Sequence, residues 1–208
     1  MPLICLFGPD GSGKTTLAKA LARKLEGHSF NVRISWMRGT HTLASMLARF
    51  LSKFATFKGS NNPYYGISIP SHIKRVWQLI EFISALPVLL LRFMLPNLLG
   101  YTVIAERYIP DFLVWVVITT DDPSYLSSIS ASFLLALALR AKAKIYVKAD
   151  LQKLVERRID MDPFFIMKQL ILYEKLAEGM NSLTLDTTNR SIDESMDSLL
   201  AFLDKNLK

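Results

Sequence analysis

Cysteine is almost absent: Cys5 is the only one among 208 residues. No disulfide can form within the chain. That excludes a cysteine-stapled secreted scaffold and makes a reducing, cytoplasmic setting the expectation. Cys5 lies in an apolar run and reads as a small buried hydrophobe, not a reactive thiol. Histidine is sparse as well. His28, His41 and His72 are scattered, and no Cys/His spacing suggests zinc. Acidic residues are in deficit, with 18 Asp and Glu against 25 Lys and Arg, for a net charge of +7. Such a balance suits anionic substrates, nucleic acid or an acidic membrane surface. No dense Lys/Arg run interleaved with aromatics occurs, so nucleic-acid binding is not expected. The first apolar run is short and has no basic start, so no secretory signal is expected. Leu79 to Leu99 is the one stretch approaching the length of a membrane span, and Glu81, Pro87, Arg92 and Pro96 interrupt it. It reads as a buried or partly exposed helix pair, not an integral span. Contact with a membrane surface or a partner subunit stays open. Repeats, low-complexity tracts and linkers are missing, so residues 1–208 read as one domain.

What is present centres on Leu3 to Ala22, LICLFGPDGSGKTTLAKALA. An uncharged apolar run, Leu3 to Phe7, has strand character. Gly8, Gly13, Lys14 and Thr15 then follow at the spacing G-x-x-x-x-G-K-[ST]. A helical pattern comes next, with Leu17, Ala18, Leu21 and Leu25 on one face. Strand, glycine loop and helix is the context that a phosphate-binding P-loop requires. Gly8, Gly11 and Gly13 let the backbone of the loop Gly8, Pro9, Asp10, Gly11, Ser12, Gly13, Lys14, Thr15 and Thr16 turn sharply, so that its N–H groups, which Pro9 alone lacks, gather near phosphate oxygens. The positive end of the helix points at the same anion. In this motif Lys14 reaches the β- and γ-phosphates of ATP, and the Thr15 hydroxyl binds Mg2+. No guanine-reading N-K-x-D accompanies the loop, which argues against a GTPase switch.

Strand and helix patterns alternate along the rest of the chain. Strands are expected at 31–37, 101–105, 143–147 and 182–185. Helices are expected at 41–57, 69–86, 111–119, 150–159, 162–178 and 191–203, with another after Asp121-Asp122-Pro123 reaching about Arg140. Pro87 either kinks its helix or begins a new one. Lys58 to Gly66, KGSNNPYYG, reads as a mobile loop: a substrate lid or a disordered connection. Asp121-Asp122 reads as a helix cap, not a metal pair. Ser191 and Glu194 have the spacing of a capping box. The fold class that follows is α/β, three layers, with a five-stranded parallel sheet covered by helices on both faces.

Ligands of open parallel sheets sit beyond the carboxyl ends of the strands. The P-loop falls there after the first strand, Arg38 after the second, and Glu106 and Arg107 after the third. GPDGSGKTT followed by a strand-borne Glu106-Arg107-Tyr108 resembles the thymidylate kinase family of P-loop nucleoside-monophosphate kinases. The resemblance implies that Asp10 lies near the acceptor sugar, that Arg38 and Arg107 hold the acceptor phosphate, and that Glu106 sits near Mg2+ and its waters. It implies that Arg157 or Arg158, in a short lid at about 157–163, covers the transferring phosphoryl group. Phe82 falls where the family stacks an aromatic on the base. Homodimers are common in that family, and the apolar helices around Leu86 to Leu99 would form the interface.

The departures are specific. Arg38-Gly39-Thr40-His41 stands where the family has Arg-Glu-Pro-Gly, and Glu106 replaces an Asp. Ala85 and Leu86 occupy the place of a base-side arginine, for which Arg75 or Arg92 would have to substitute. The expectation is ATP- and Mg2+-dependent phosphoryl transfer to a small-molecule phosphate acceptor, dTMP first. The alternatives are another monophosphate, a sugar or a lipid-linked alcohol as acceptor, with Asp10 or Glu106 as base, or a nucleotide-binding switch without metabolic turnover.

Overall fold

In the computed structural model, which describes residues 2–206, the elements in chain order are β1 (Leu3–Phe7), α1 (Lys14–Glu26), β2 (Val32–Trp36), α2 (Thr42–Leu51), β3 (Lys58–Asn62), α3 (Lys74–Leu89), α4 (Leu95–Leu98), β4 (Thr102–Arg107), α5 (Ile109–Thr120), α6 (Ile129–Ala138), β5 (Ala143–Lys148), α7 (Leu151–Arg157), α8 (Pro163–Gly179), β6 (Leu183–Asp186) and α9 (Ile192–Asn206). Five strands pair in parallel in the order β2-β4-β1-β5-β6, the expected sheet. Val- and Ile-rich strands buried on both faces need helices on both sides. One face packs Ile4, Leu6 and Ile145 against Leu17 and Leu21 of α1 and Leu199 of α9. The other packs Cys5, Phe7 and Val103 against α3, α5 and α8 through Val88, Phe112 and Leu176. Every residue of α5 is buried. Cys5 is fully buried, and burial drives its thiol pKa well up, so it is an inert core residue.

Strand order positions the site. β4 lies directly beside β1, with Cys5 opposite Ala105, which brings Glu106 and Arg107 next to the P-loop. β2 lies on the other side of β4, and a register shift after Ser35 sets Trp36 opposite Arg107. Arg38 therefore emerges at the same rim.

Three local expectations are corrected. The helix expected to reach Phe57 ends at Leu51, where the Ser52 hydroxyl donates to the Arg49 carbonyl and diverts it from the ladder. KGSNNPYYG is neither plain loop nor disordered connection. β3 turns back on itself, with the Gly59 N–H donating to the Gly66 carbonyl and the Gly66 N–H to the Asn62 carbonyl. Fully buried Ile67 pins the hairpin to the Ala44, Ala48 and Trp77 cluster. Pro87 does not begin a new helix. It lies inside α3, which passes through a π turn at Leu90–Met94 into α4. The π turn rotates Phe93 into the core, against Tyr108. Ser71–Leu98 is, by length and composition alone, apolar enough to cross a membrane. Its inner side closes the domain core.

Candidate functional site

β1 ends at Phe7, and the chain turns at Gly8 with φ +144°. A Cβ there would lie 2.1 Å from the Val147 carbonyl oxygen on β5, so the sheet itself demands glycine. Gly13, with φ +90°, delivers the chain into α1. Lys14 is 3% exposed. Its ammonium donates to the Pro9 carbonyl at 2.5 Å and to Ser12 Oγ at 3.3 Å. Thr187, just past β6, donates its hydroxyl to the Ser12 carbonyl at 2.9 Å. The loop is thus held in shape by the lysine that would serve a phosphate. Burial, and then the charge of Arg107, lower the Lys14 pKa to about 7.

The Thr15 hydroxyl donates to the Glu106 carboxylate. These are hard oxygens, one in the first turn of α1 and one near the end of β4, and they fit an ion that takes one or two protein ligands and completes its shell with waters and phosphate oxygens. Among the described residues no cluster of three acidic, histidine or cysteine groups exists, so an all-protein cage is not available.

Asp10 is the hub of a cluster of arginines. Its carboxylate, 1% exposed, accepts from Arg38 at 2.7 Å and from Arg107, and lies 3.6 Å from Arg158. Burial alone would raise its pKa. Arg107 and Arg38, with Lys14, outweigh that and hold the carboxyl well below the usual carboxylate range. Arg107 is anchored a second time by Asp111, 3.7 Å away, which accepts from the Tyr173 hydroxyl at 2.9 Å. Arg107 Nη1 is buried and, among the described residues, has no hydrogen-bond partner.

Arg38 is built into an aromatic clamp. Its guanidinium lies 4.5 Å from the Trp115 ring centroid and 5.3 Å from that of Tyr64, and it donates to the Tyr64 hydroxyl at 2.7 Å. Gly39 permits this, because a Cβ there would lie 1.9 Å from Trp115. Thr40, at φ +54°, is held by fully buried Glu81 of α3, which accepts from its N–H at 2.6 Å and its hydroxyl at 2.7 Å. Trp115 Nε1 donates to the same hydroxyl at 2.8 Å. Burial lifts the Glu81 pKa to about 7 against these hydrogen bonds. His41 Nε2 accepts from the Arg38 N–H, and burial, then Arg92, lower its pKa to about 4, so it is neutral near pH 7.

The two arginines ending α7 diverge. Arg157 donates to the Gly11 carbonyl at 3.0 Å and the Thr187 carbonyl at 3.4 Å. It lines a cavity of about 300 Å³ with Gly13, Thr16, Arg190 and Ser195. Arg158 turns to Asp10 and Asp160 and lines a cavity of about 520 Å³ with Tyr64, Phe164 and Lys168. A third cavity, of about 680 Å³, is lined by Trp36, Arg38, His41, Tyr64 and Trp115.

The structure therefore brings Gly8 through Thr16, Arg38, Glu106, Arg107 and Arg157 to one rim. It does not bring Phe82 there. That ring packs against the core and meets Phe133 edge-on at 6.1 Å. Arg92 stacks on Trp36 at 5.7 Å, and Arg75 is exposed on α3. Sequence reasoning missed Tyr64, Glu81, Trp115 and the distinct placement of Arg158. Glu81 had a signal: it is the only acidic residue between 27 and 105.

Residues 4–90 match the family model of the ATPase family associated with various cellular activities (AAA). The match spans the P-loop, β2, α2 and all of α3, less than half of the chain. No curated protein matches the sequence. The match thus covers the P-loop part of the domain, the sheet and its helices have the α/β fold of P-loop NTPases, and ATP with Mg2+ is the ligand pair such loops take.

Proposed function

We propose that this chain is an ATP-dependent phosphotransferase acting on a small phosphorylated acceptor, a nucleoside monophosphate, with dTMP the first candidate. One observation carries the reading. Beside the P-loop, the guanidinium groups of Arg38, Arg107 and Arg158 converge on the one Asp10 carboxylate, with Arg107 also facing Asp111 and Arg158 also paired with Asp160, a concentration of donors that a second anion can share. Plain hydrolysis of ATP needs no such second anion site. A cavity lined by Gly11, Gly13, Thr16 and Arg157 suits the donor, and separate cavities, one lined by Arg158 and one by Arg38, with Tyr64 in both, suit the acceptor.

In this reading ATP phosphates lie on the backbone N–H groups of residues 10–16, with Lys14 drawn from the Pro9 carbonyl onto the β- and γ-phosphates. Mg2+ held by Thr15 and Glu106 would neutralise charge on those oxygens. Arg38 and Arg107 fix the acceptor phosphate, whose oxygen attacks the γ-phosphorus as the bond to the β,γ-bridging oxygen breaks and ADP leaves. Arg157 and Arg158 offset charge on the moving group. Phosphoryl transfer asks for positioning and charge neutralisation rather than covalent help. An alcohol acceptor fits less well. It asks for a base, and Asp10, tied to arginines and held far below the usual range, is a poor one.

The test is ADP release from Mg-ATP across a panel of nucleoside monophosphates. At least one acceptor should raise the rate well above the acceptor-free background. Arg107→Ala should lower the stimulated rate about a hundred- to a thousandfold, by analogy with loss of one transition-state donor. Equal rates with and without every monophosphate would remove the acceptor assignment. The AAA match favours a second reading, ATP hydrolysis that drives a conformational change. Acceptor-independent turnover would support it.

A further inference from the structure

We propose that α2 and the continuous helix 74–98 form a surface that docks on an anionic lipid bilayer. The two elements run antiparallel: Thr42 and Ala44 bond Ser84, while Ala48 packs in one cluster with Trp77. Both expose apolar side chains. Met46 (70% exposed) and Phe50 stand on α2, Leu79, Ile83 and Leu90 on the long helix, and Leu98 (79% exposed) at its tip. Exposed apolar side chains gathered on two packed helices mark a contact site.

Charge selects the occupant. Eight Lys and Arg lie between residues 27 and 105, against one acidic residue, Glu81, which is fully buried beneath Thr40. Lys53 and Arg75 are exposed at one end of the two helices, and Arg92, exposed near the other end, lies over Trp36 of β2. A two-fold dimer would set this cationic, apolar face against itself, with no carboxylate on it to answer the charges. A bilayer bearing anionic headgroups answers both: acyl chains take the apolar side chains and the headgroups take the cations. The helix lies along such a surface and does not cross it. Its inner side holds Glu81 on Thr40, Gln78 on Asp122 at 2.8 Å, and Phe93 in the core.

The experiment is sedimentation of the full chain with phosphatidylcholine vesicles, with and without phosphatidylserine. Vesicle binding needs no turnover, so it stands or falls apart from the acceptor assignment. The chain should pellet with the phosphatidylserine vesicles, and rising salt should release it. Lys53→Ala and Arg75→Ala should each weaken partition about fivefold. Ile83→Glu with Leu90→Glu should abolish it while leaving the circular dichroism spectrum and ATP binding intact. Leu151→Glu, on α7, serves as the exposed apolar control and should bind as the parent does. Absence of binding to both vesicle types overturns the proposal. So does a solution dimer that Leu90→Glu converts to monomer, which would give the face to a second copy.

Discussion

Lys14 rests on the carbonyl of its own loop with a pKa near 7, because burial and Arg107 disfavour its charge. Polyphosphate would restore that charge. ATP binding at pH 7 should therefore take up about half a proton, seen as a buffer-dependent binding enthalpy. Lys14→Met should abolish the uptake along with turnover. Binding that is equally buffer-independent in both proteins would contradict the role. The folded chain also holds fewer protons here than the unfolded chain between pH 7 and 10.5, so this residue's contribution to stability rises with pH across that window. Glu81 behaves oppositely. Its carboxyl, raised from 4.5 to about 7, contributes stability that is complete below pH 4.5 and lost as pH rises through 7. Glu81→Ala strands the Thr40 N–H in a buried place and should cost about 1–3 kcal/mol of unfolding free energy. The acceptor KM should rise and that for ATP should barely move, because Thr40 orients Arg38 and not the loop. A matching rise in both would show that Glu81 merely supports the fold.

At the scale of elements, most boundaries follow from pattern. The capping box at α9 is there as its spacing predicts: Glu194 accepts from the Ser191 N–H at 2.8 Å, and the Glu194 N–H donates to Ser191 Oγ at 3.2 Å. Ser191→Ala should cost about 1 kcal/mol and lower Tm by about 2–4 °C in a thermal melt. An unchanged Tm would mean that packing of Leu199 and Leu203, not the cap, sets this helix. The hairpin at β3 was not legible, because its partner Ile67 lies beyond the glycine–asparagine cluster and the pairing is held by tertiary burial. The continuous helix through Pro87 was not legible either. A proline removes one backbone donor, but core contacts of Val88, Leu89 and Phe93 carry the helix across it.

At the scale of the molecule, the parallel sheet and the P-loop could be read directly, since strand, glycine loop and helix are contiguous in sequence. The rim could be read only in part. Arg38 and Arg107 follow from strand ends, but their convergence on Asp10 depends on β4 lying between β1 and β2, which no local pattern encodes. Phe82 went the other way: the family resemblance put it on the acceptor's base, yet the rotation of α3 turns Glu81 onto Thr40 beside Arg38 and Phe82 toward α6. The central claim is that the γ-phosphoryl group leaves ATP for a second anion gripped by that rim. The most direct measurement follows the label of γ-phosphate-labelled Mg-ATP incubated with nucleoside monophosphates. The account predicts label in a nucleoside diphosphate, with Arg38→Ala cutting its appearance about a hundredfold or more. Label found only in inorganic phosphate, at a rate that no monophosphate alters, would contradict it.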